Sequence, residues 1–136
     1  MAYAIEFKNV SKKFENSKGT AVKNATLNIE KGSFIVLLGS SGSGKTTLLK
    51  MVNGLYNKTE GEIYINGKEI DSIDKITLRR NIGYVIQQNG LFPHMNIYEN
   101  IATVPKIFKW EKTKINYRVD ELLNLVDLSQ EYKIKY

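Results

Sequence analysis

"GSSGSGKTTLLK", Gly39 to Lys50, decides how the rest of the chain is read. It carries almost no bulk until Leu48 and Leu49, where it turns apolar. Gly39, Gly44, Lys45 and Thr46 fit G-x-x-x-x-G-K-[ST], the spacing of a phosphate-binding loop. Glycine reaches backbone angles that other residues avoid, so successive N–H groups can turn toward one point. A helix that starts there adds its free N–H groups to the same concave face. Gly39, Ser40, Ser41, Gly42, Ser43, Gly44, Lys45, Thr46 and Thr47 are therefore expected to hold a polyphosphate. Lys45 would reach the β- and γ-phosphates, Thr47 the α-phosphate, and the Thr46 hydroxyl would ligate Mg²⁺, which prefers hard oxygen donors. The alternative is a Gly/Ser-rich turn that only caps a helix and leaves Lys45 in solvent.

Just before the loop, "FIVLL" (Phe34 to Leu38) is apolar at successive positions, as a strand covered on both faces must be. Lys45 to Asn53 reads as a helix closed by Gly54. Further upstream, Ala4 to Val10 and Ala21 to Glu30 alternate apolar and polar residues, the period of half-buried strands. Downstream, "GEIYINGKEI" alternates around Asn66-Gly67, a tight hairpin signal. Ile82 to Ile86 reads as a further strand, and Pro93 and Pro105 punctuate the chain beyond it. From Glu111, Ile115, Val119, Leu122, Leu123 and Val126 form one helical stripe. The expected fold is α/β: a P-loop core with an N-terminal antiparallel β layer, then the start of a helical subdomain.

The composition bounds the partners. The chain has 136 residues, a net charge of +6 and no cysteine, which excludes disulfides and thiolate metal sites. Its lysines are scattered rather than clustered, so they read as a solvated surface and not as a nucleic-acid tract. No run of apolar residues is long enough for a membrane-spanning helix, and MAYAIEFKNV lacks the layout of a signal peptide.

Several stretches together resemble one family. "GSSGSGKTT" is similar to the Walker A motif of ATP-binding cassette (ABC) transporter ATPases. "IGYVIQQNGLFPHMNIYENI" (Ile82 to Ile101) resembles their Q-loop, and "FKNVSKKF" with "LNIEKGSF" their N-terminal β layer. "EGEIYINGKEI" resembles the hairpin between the two motifs. The Q-loop wording is most similar to importers of osmoprotectants such as glycine betaine, carnitine and choline. The resemblance implies the N-terminal part of one ABC ATPase domain over residues 1–136, with the β layer and P-loop core in 1–90 and the Q-loop and first helical elements in 91–136. It implies ATP and Mg²⁺ as ligands. Phe14 would stack on adenine, with membership of the β core as the alternative. Lys45 and Gln87 would be catalytic, with Gln87 touching Mg²⁺ or the attacking water; Gln88 is the neighbouring candidate. Leu91, Phe92 and Met95 would dock a transmembrane permease subunit, unless the loop packs within its own domain. A second ATPase subunit would complete a homodimer on the inner face of the cell membrane, on the cytoplasmic side.

Parts of the family's hydrolytic apparatus are not found. "LSQE" (Leu128 to Glu131) lacks the glycines of an LSGGQ-type signature. "LLNLVDL" (Leu122 to Leu128) imitates a Walker B strand, but its apolar residues belong to the helical stripe, and Leu128 stands where a glutamate is needed. Asp127 is accordingly read as no Mg²⁺ ligand, and His94, the only histidine, as no switch residue. The chain is expected to be the N-terminal part of a longer ATPase that alone binds MgATP without appreciable turnover, because phosphoryl transfer needs several groups at once. The alternatives are a small P-loop kinase and a non-catalytic nucleotide-binding module.

Overall fold

The computed structural model describes residues 3–88 and 90–135. The chain divides into two compact units, Met1–Tyr84 and Val85–Tyr136.

In the first unit the alternation around Ile5 and Phe7 yields β1 (Tyr3–Lys13), longer at both ends than its pattern implies. It pairs antiparallel with β2 (Thr20–Glu30) on one side and β3 (Glu60–Ile65) on the other. The short β4 (Lys68–Glu69) completes a sheet of order β2-β1-β3-β4. Asn66 and Gly67 both take positive φ, 50° and 78°, as a tight hairpin turn requires. A bulge at Asn9, φ 51°, shifts the β1–β3 register between Lys8 and Ser11. Gly61 faces it, and a β-carbon there would stand 2.4 Å from the Asn9 carbonyl oxygen.

Phe7, Val10 and Ile63 on the sheet form one buried cluster with Val22, Met51, Ile70 and Leu78. Met51 comes from α1 (Lys45–Val52) and Leu78 from α2 (Lys75–Arg80). Burying a side chain of this size stabilises by roughly 1.5–3 kcal/mol. The cluster thus fixes α1, the helix after the glycine-rich loop, against the sheet. Asn53 and Gly54 close α1: Gly54 N–H donates to the Met51 carbonyl at 3.0 Å and Leu55 N–H to Lys50 at 2.9 Å. This is the double bond pattern of a Schellman end, with Gly54 at φ 66°.

The expectation of a buried strand at Phe34 to Leu38 is not met. These residues join no ladder among the described residues, and Phe34 and Leu38 are 90% and 88% exposed. Nor do residues 82–86 pair: Val85 is 94% exposed. The physical reason is common to both. An apolar run of this kind becomes a strand only when neighbouring strands hydrogen-bond with its N–H and C=O groups, and no described strand does so.

In the second unit α3 (Ile97–Ile107) and α4 (Lys112–Leu125) bury Ala102, Ile115, Val119 and Leu123 in a second cluster. The stripe runs as its spacing implies as far as Leu123; Val126 is exposed because it is already the cap of α4. Pro105, read from sequence as punctuation, lies inside α3. It falls in the last turn, where the helix is about to end in any case.

Candidate functional site

The glycine-rich loop is held open by one close approach. Gly44, the N-cap of α1, has φ 95° and ψ 0°. A β-carbon at this position would lie 2.5 Å from the Ala21 carbonyl oxygen and 3.2 Å from Val22 Cγ2. Only glycine therefore lets the loop lie on β2 while its backbone turns into the helix. Gly42, at φ 80°, makes the other left-handed step. Ala21 and residues 42 to 47 line a shallow cleft of about 130 Å³.

Lys45 is held by the loop itself. Its Nζ donates to the carbonyl oxygens of Gly39 and Ser40, each at 2.7 Å, and to Ser43 Oγ at 3.2 Å. An ammonium has three donors, and here all three meet loop oxygens. The alternative of a lysine pointing into solvent is not what the structure contains. Thr46 is exposed and Thr47 half-buried, both on the cleft. The arrangement joins a fixed cation, a helix N-terminus and two threonine residues on one small surface, a donor set suited to phosphate oxygens. A Mg²⁺ ion would take the Thr46 hydroxyl alongside phosphate oxygens, since it retains several waters and needs few protein ligands.

Phe14 lies just beyond β1 and outside the buried cluster. Its ring meets Tyr56 nearly perpendicularly, at 82° with centroids 5.1 Å apart, and Lys12 Nζ stands 5.0 Å from its centre. The ring is half-buried, and Tyr56, against which it packs, itself packs on that cluster. Gln87 and Gln88 are exposed and lie in the second unit, in a bend rather than at a strand's end as expected. Asn89 lies outside the described residues.

Leu91 and Phe92 are exposed, and Met95 is half-buried. Sequence reading missed what shapes their loop. Asn100 Oδ1 accepts from Phe92 N–H at 2.7 Å, and Nδ2 donates toward the carbonyls of Phe92, Met95 and Asn96 at 2.9–3.2 Å. Asn96 and Glu99 form a reciprocal capping box at the start of α3, and N-x-x-E is the signal that could have found it. Asp127 is the left-handed residue that ends α4, with φ 55°, its N–H donating to the Asn124 carbonyl.

Residues 22–136 match the family described as ABC transporter. The chain belongs to the ABC transporter family. It is 51% identical over 132 residues to the carnitine transport ATP-binding protein OpuCA of Listeria monocytogenes, covering 97% of this chain and 33% of that protein. It is 48% identical to the glycine betaine/carnitine/choline transport ATP-binding protein OpuCA of Bacillus subtilis, covering 97% of this chain and 34% of that one. Thus this ABC transporter chain spans about a third of the length of these curated relatives. The fold agrees with a solved cassette, the dimeric ATP-binding cassette MJ0796 bound to ADP and Pi. The TM-score is 0.81 at 34% identity, over 96% of this chain and 60% of that one. Among the described residues of this ABC transporter chain, no helix is long and apolar enough to cross a membrane.

Proposed function

We propose that the protein is the ATP-binding subunit of an ABC importer. It couples ATP binding and hydrolysis to the uptake of a small solute, an osmoprotectant such as glycine betaine, carnitine or choline. The observation that carries this is the loop at residues 39 to 47, with Gly44 against Ala21 and Lys45 anchored inside it. The names of relatives about half identical to the chain support the class of solute.

Residues 39 to 47 hold the phosphates of ATP and Phe14 stacks on its base. Thr46 and Gln87 ligate Mg²⁺, which neutralises phosphate charge when bound. Lys45 and Gln87 act at the transferred phosphate. Leu91, Phe92 and Met95 receive a transmembrane permease subunit, and a second ATPase subunit completes the motor at the inner face of the membrane. Residues 1–136 form the N-terminal part of one ABC ATPase domain, with the β layer and P-loop core in 1–90 and the Q-loop and first helical elements in 91–136. The 136-residue chain alone binds MgATP without appreciable hydrolysis, because Walker A supplies only part of the required charge.

The test is ATP-driven uptake of radiolabelled carnitine or glycine betaine into vesicles carrying the full-length protein with its permease. Uptake that is lost with Lys45→Ala supports the proposal. An intact complex that hydrolyses ATP but moves neither solute contradicts the assignment of solute.

A further inference from the structure

Tyr56 stands between two parts of the nucleotide site without belonging to either. Its N–H donates to the Lys50 carbonyl at 3.0 Å, in the last turn of α1. Lys50 Nζ lies 5.0 Å from its ring centre and 3.3 Å from its hydroxyl oxygen. Its ring also packs on the edge of the buried cluster that contains Met51. Tyr56 is thus fixed to the helix whose first residue is Lys45. Its free side meets Phe14, at 82° and 5.1 Å. Phe14 has left β1, and its backbone is held by a turn in which Ser17 N–H and Oγ both donate to its carbonyl, at 3.0 and 3.1 Å. Those bonds fix the backbone but leave the side chain free to rotate. The perpendicular contact with Tyr56 is the ring's aromatic contact, beside Lys12 Nζ at 5.0 Å from its centre.

We infer that Tyr56 is a positioning residue for nucleotide binding: it sets the ring of Phe14 relative to the phosphate helix so that the base and the phosphates are held together. This rests on the base-stacking role proposed for Phe14. A stacking platform that rotates freely must be immobilised when the base lands, and a ring already held by a neighbour avoids that loss. Tyr56 itself touches no ligand. It acts on the base half of the nucleotide and leaves the phosphate half alone.

That asymmetry gives a test that a merely structural role fails. Affinities of the full-length protein for MgATP and for magnesium tripolyphosphate, which has phosphates and no base, are measured by calorimetric titration. Tyr56→Ala should weaken MgATP by about two- to tenfold, the worth of one aromatic pair. Tripolyphosphate binding should stay unchanged. Tyr56→Phe keeps the ring and loses only the long, half-buried hydroxyl contact with Lys50, so its MgATP affinity should stay within about twofold of wild type. Phe14→Ala should weaken MgATP at least as much as Tyr56→Ala, and the double variant should be no weaker than Phe14→Ala alone. Equal weakening of both ligands by Tyr56→Ala overturns the inference and marks a general loss of structure. So does an unchanged MgATP affinity in Tyr56→Ala while Phe14→Ala loses it. If Phe14→Ala changes nothing, the stacking role itself fails, and the inference falls with it.

Discussion

Gly44 and Ala21 approach so closely that a β-carbon on Gly44 would stand 2.5 Å from the Ala21 carbonyl oxygen. The contact is backbone on one side, so no side chain can rotate away to relieve it. Gly44 also sits at φ 95°, outside the range that L-residues adopt readily. Gly44→Ala should lower the unfolding free energy by about 2 kcal/mol or more, from backbone strain plus the clash. Denaturant unfolding measures it, and a loss below half that figure would mean the loop relaxes freely.

Lys45 is held by three oxygens of the loop, but those contacts are partly solvated. Its removal should therefore affect ligand binding more than folding. Lys45→Ala should weaken MgATP by about 10- to 100-fold, the worth of a charge-assisted hydrogen bond. Its melting temperature should hardly move. Calorimetric titration beside thermal unfolding separates the two.

Arg79 closes the opposite end of the same helix. Its Nε donates to the Asn53 carbonyl at 3.2 Å and its Nη2 to the Gly54 carbonyl at 2.8 Å. A cation at a helix C-terminus also meets the negative end of the helix dipole. Arg79→Ala should cost about 1–2 kcal/mol of stability. Arg79→Lys keeps the charge without the planar fork and should fall between the two. Equal stability of all three proteins in urea would show that the helix end needs no clamp.

Asp71 and Lys58 form an ion pair beside Glu69, which lies 3.0 Å from the same ammonium. The hydrogen bond from Lys58 holds the Asp71 carboxyl below its ordinary 3.8. Its stabilising contribution is therefore complete above that value and disappears as the pH falls through the lower folded one. Burial alone would lower the Lys58 pKa, but the bonds to Asp71 and Glu69 outweigh it and raise it above 10.5. That contribution is complete below 10.5 and lost as the pH rises further. Asp71→Asn should lose about 1 kcal/mol or less at pH 7, because the Asp71 carboxylate is exposed to solvent. The difference from wild type should shrink in strong acid. A difference that grows on acidification would reverse the sign.

Asp127 occupies the left-handed position that ends α4, where glycine is the preferred residue. Asp127→Gly should raise the stability by about 0.5–1 kcal/mol by relieving that backbone. It should leave Mg²⁺-dependent nucleotide binding alone. Weaker MgATP binding in this variant would restore Asp127 as a metal ligand.

The glycine-rich loop was legible because its signal is local: Gly39, Gly44, Lys45 and Thr46 carry their spacing in the sequence, and the fold adds the Ala21 contact. The Asn66-Gly67 hairpin was legible for the same reason. Phe34 to Leu38 has the composition of a two-sided strand, yet pairing belongs to neighbours and not to the run itself. The helix α2 escaped notice because six residues give too little periodicity, although Asp74 caps it by accepting from Thr77 N–H at 2.8 Å. The helix α3 was hidden by Pro105, whose place in the last turn removes little. Tyr56, Arg79 and Asn100 could not be read at all, because each acts on groups that only folding brings near.

The most direct measurement is an NMR titration of the full-length protein with MgATP, following the backbone amides of residues 39 to 47. Large, saturable shifts are expected at those amides, and smaller ones in Lys45→Ala. Saturable binding of MgATP that leaves the amides of residues 39 to 47 unmoved would contradict a phosphate cradle in this loop.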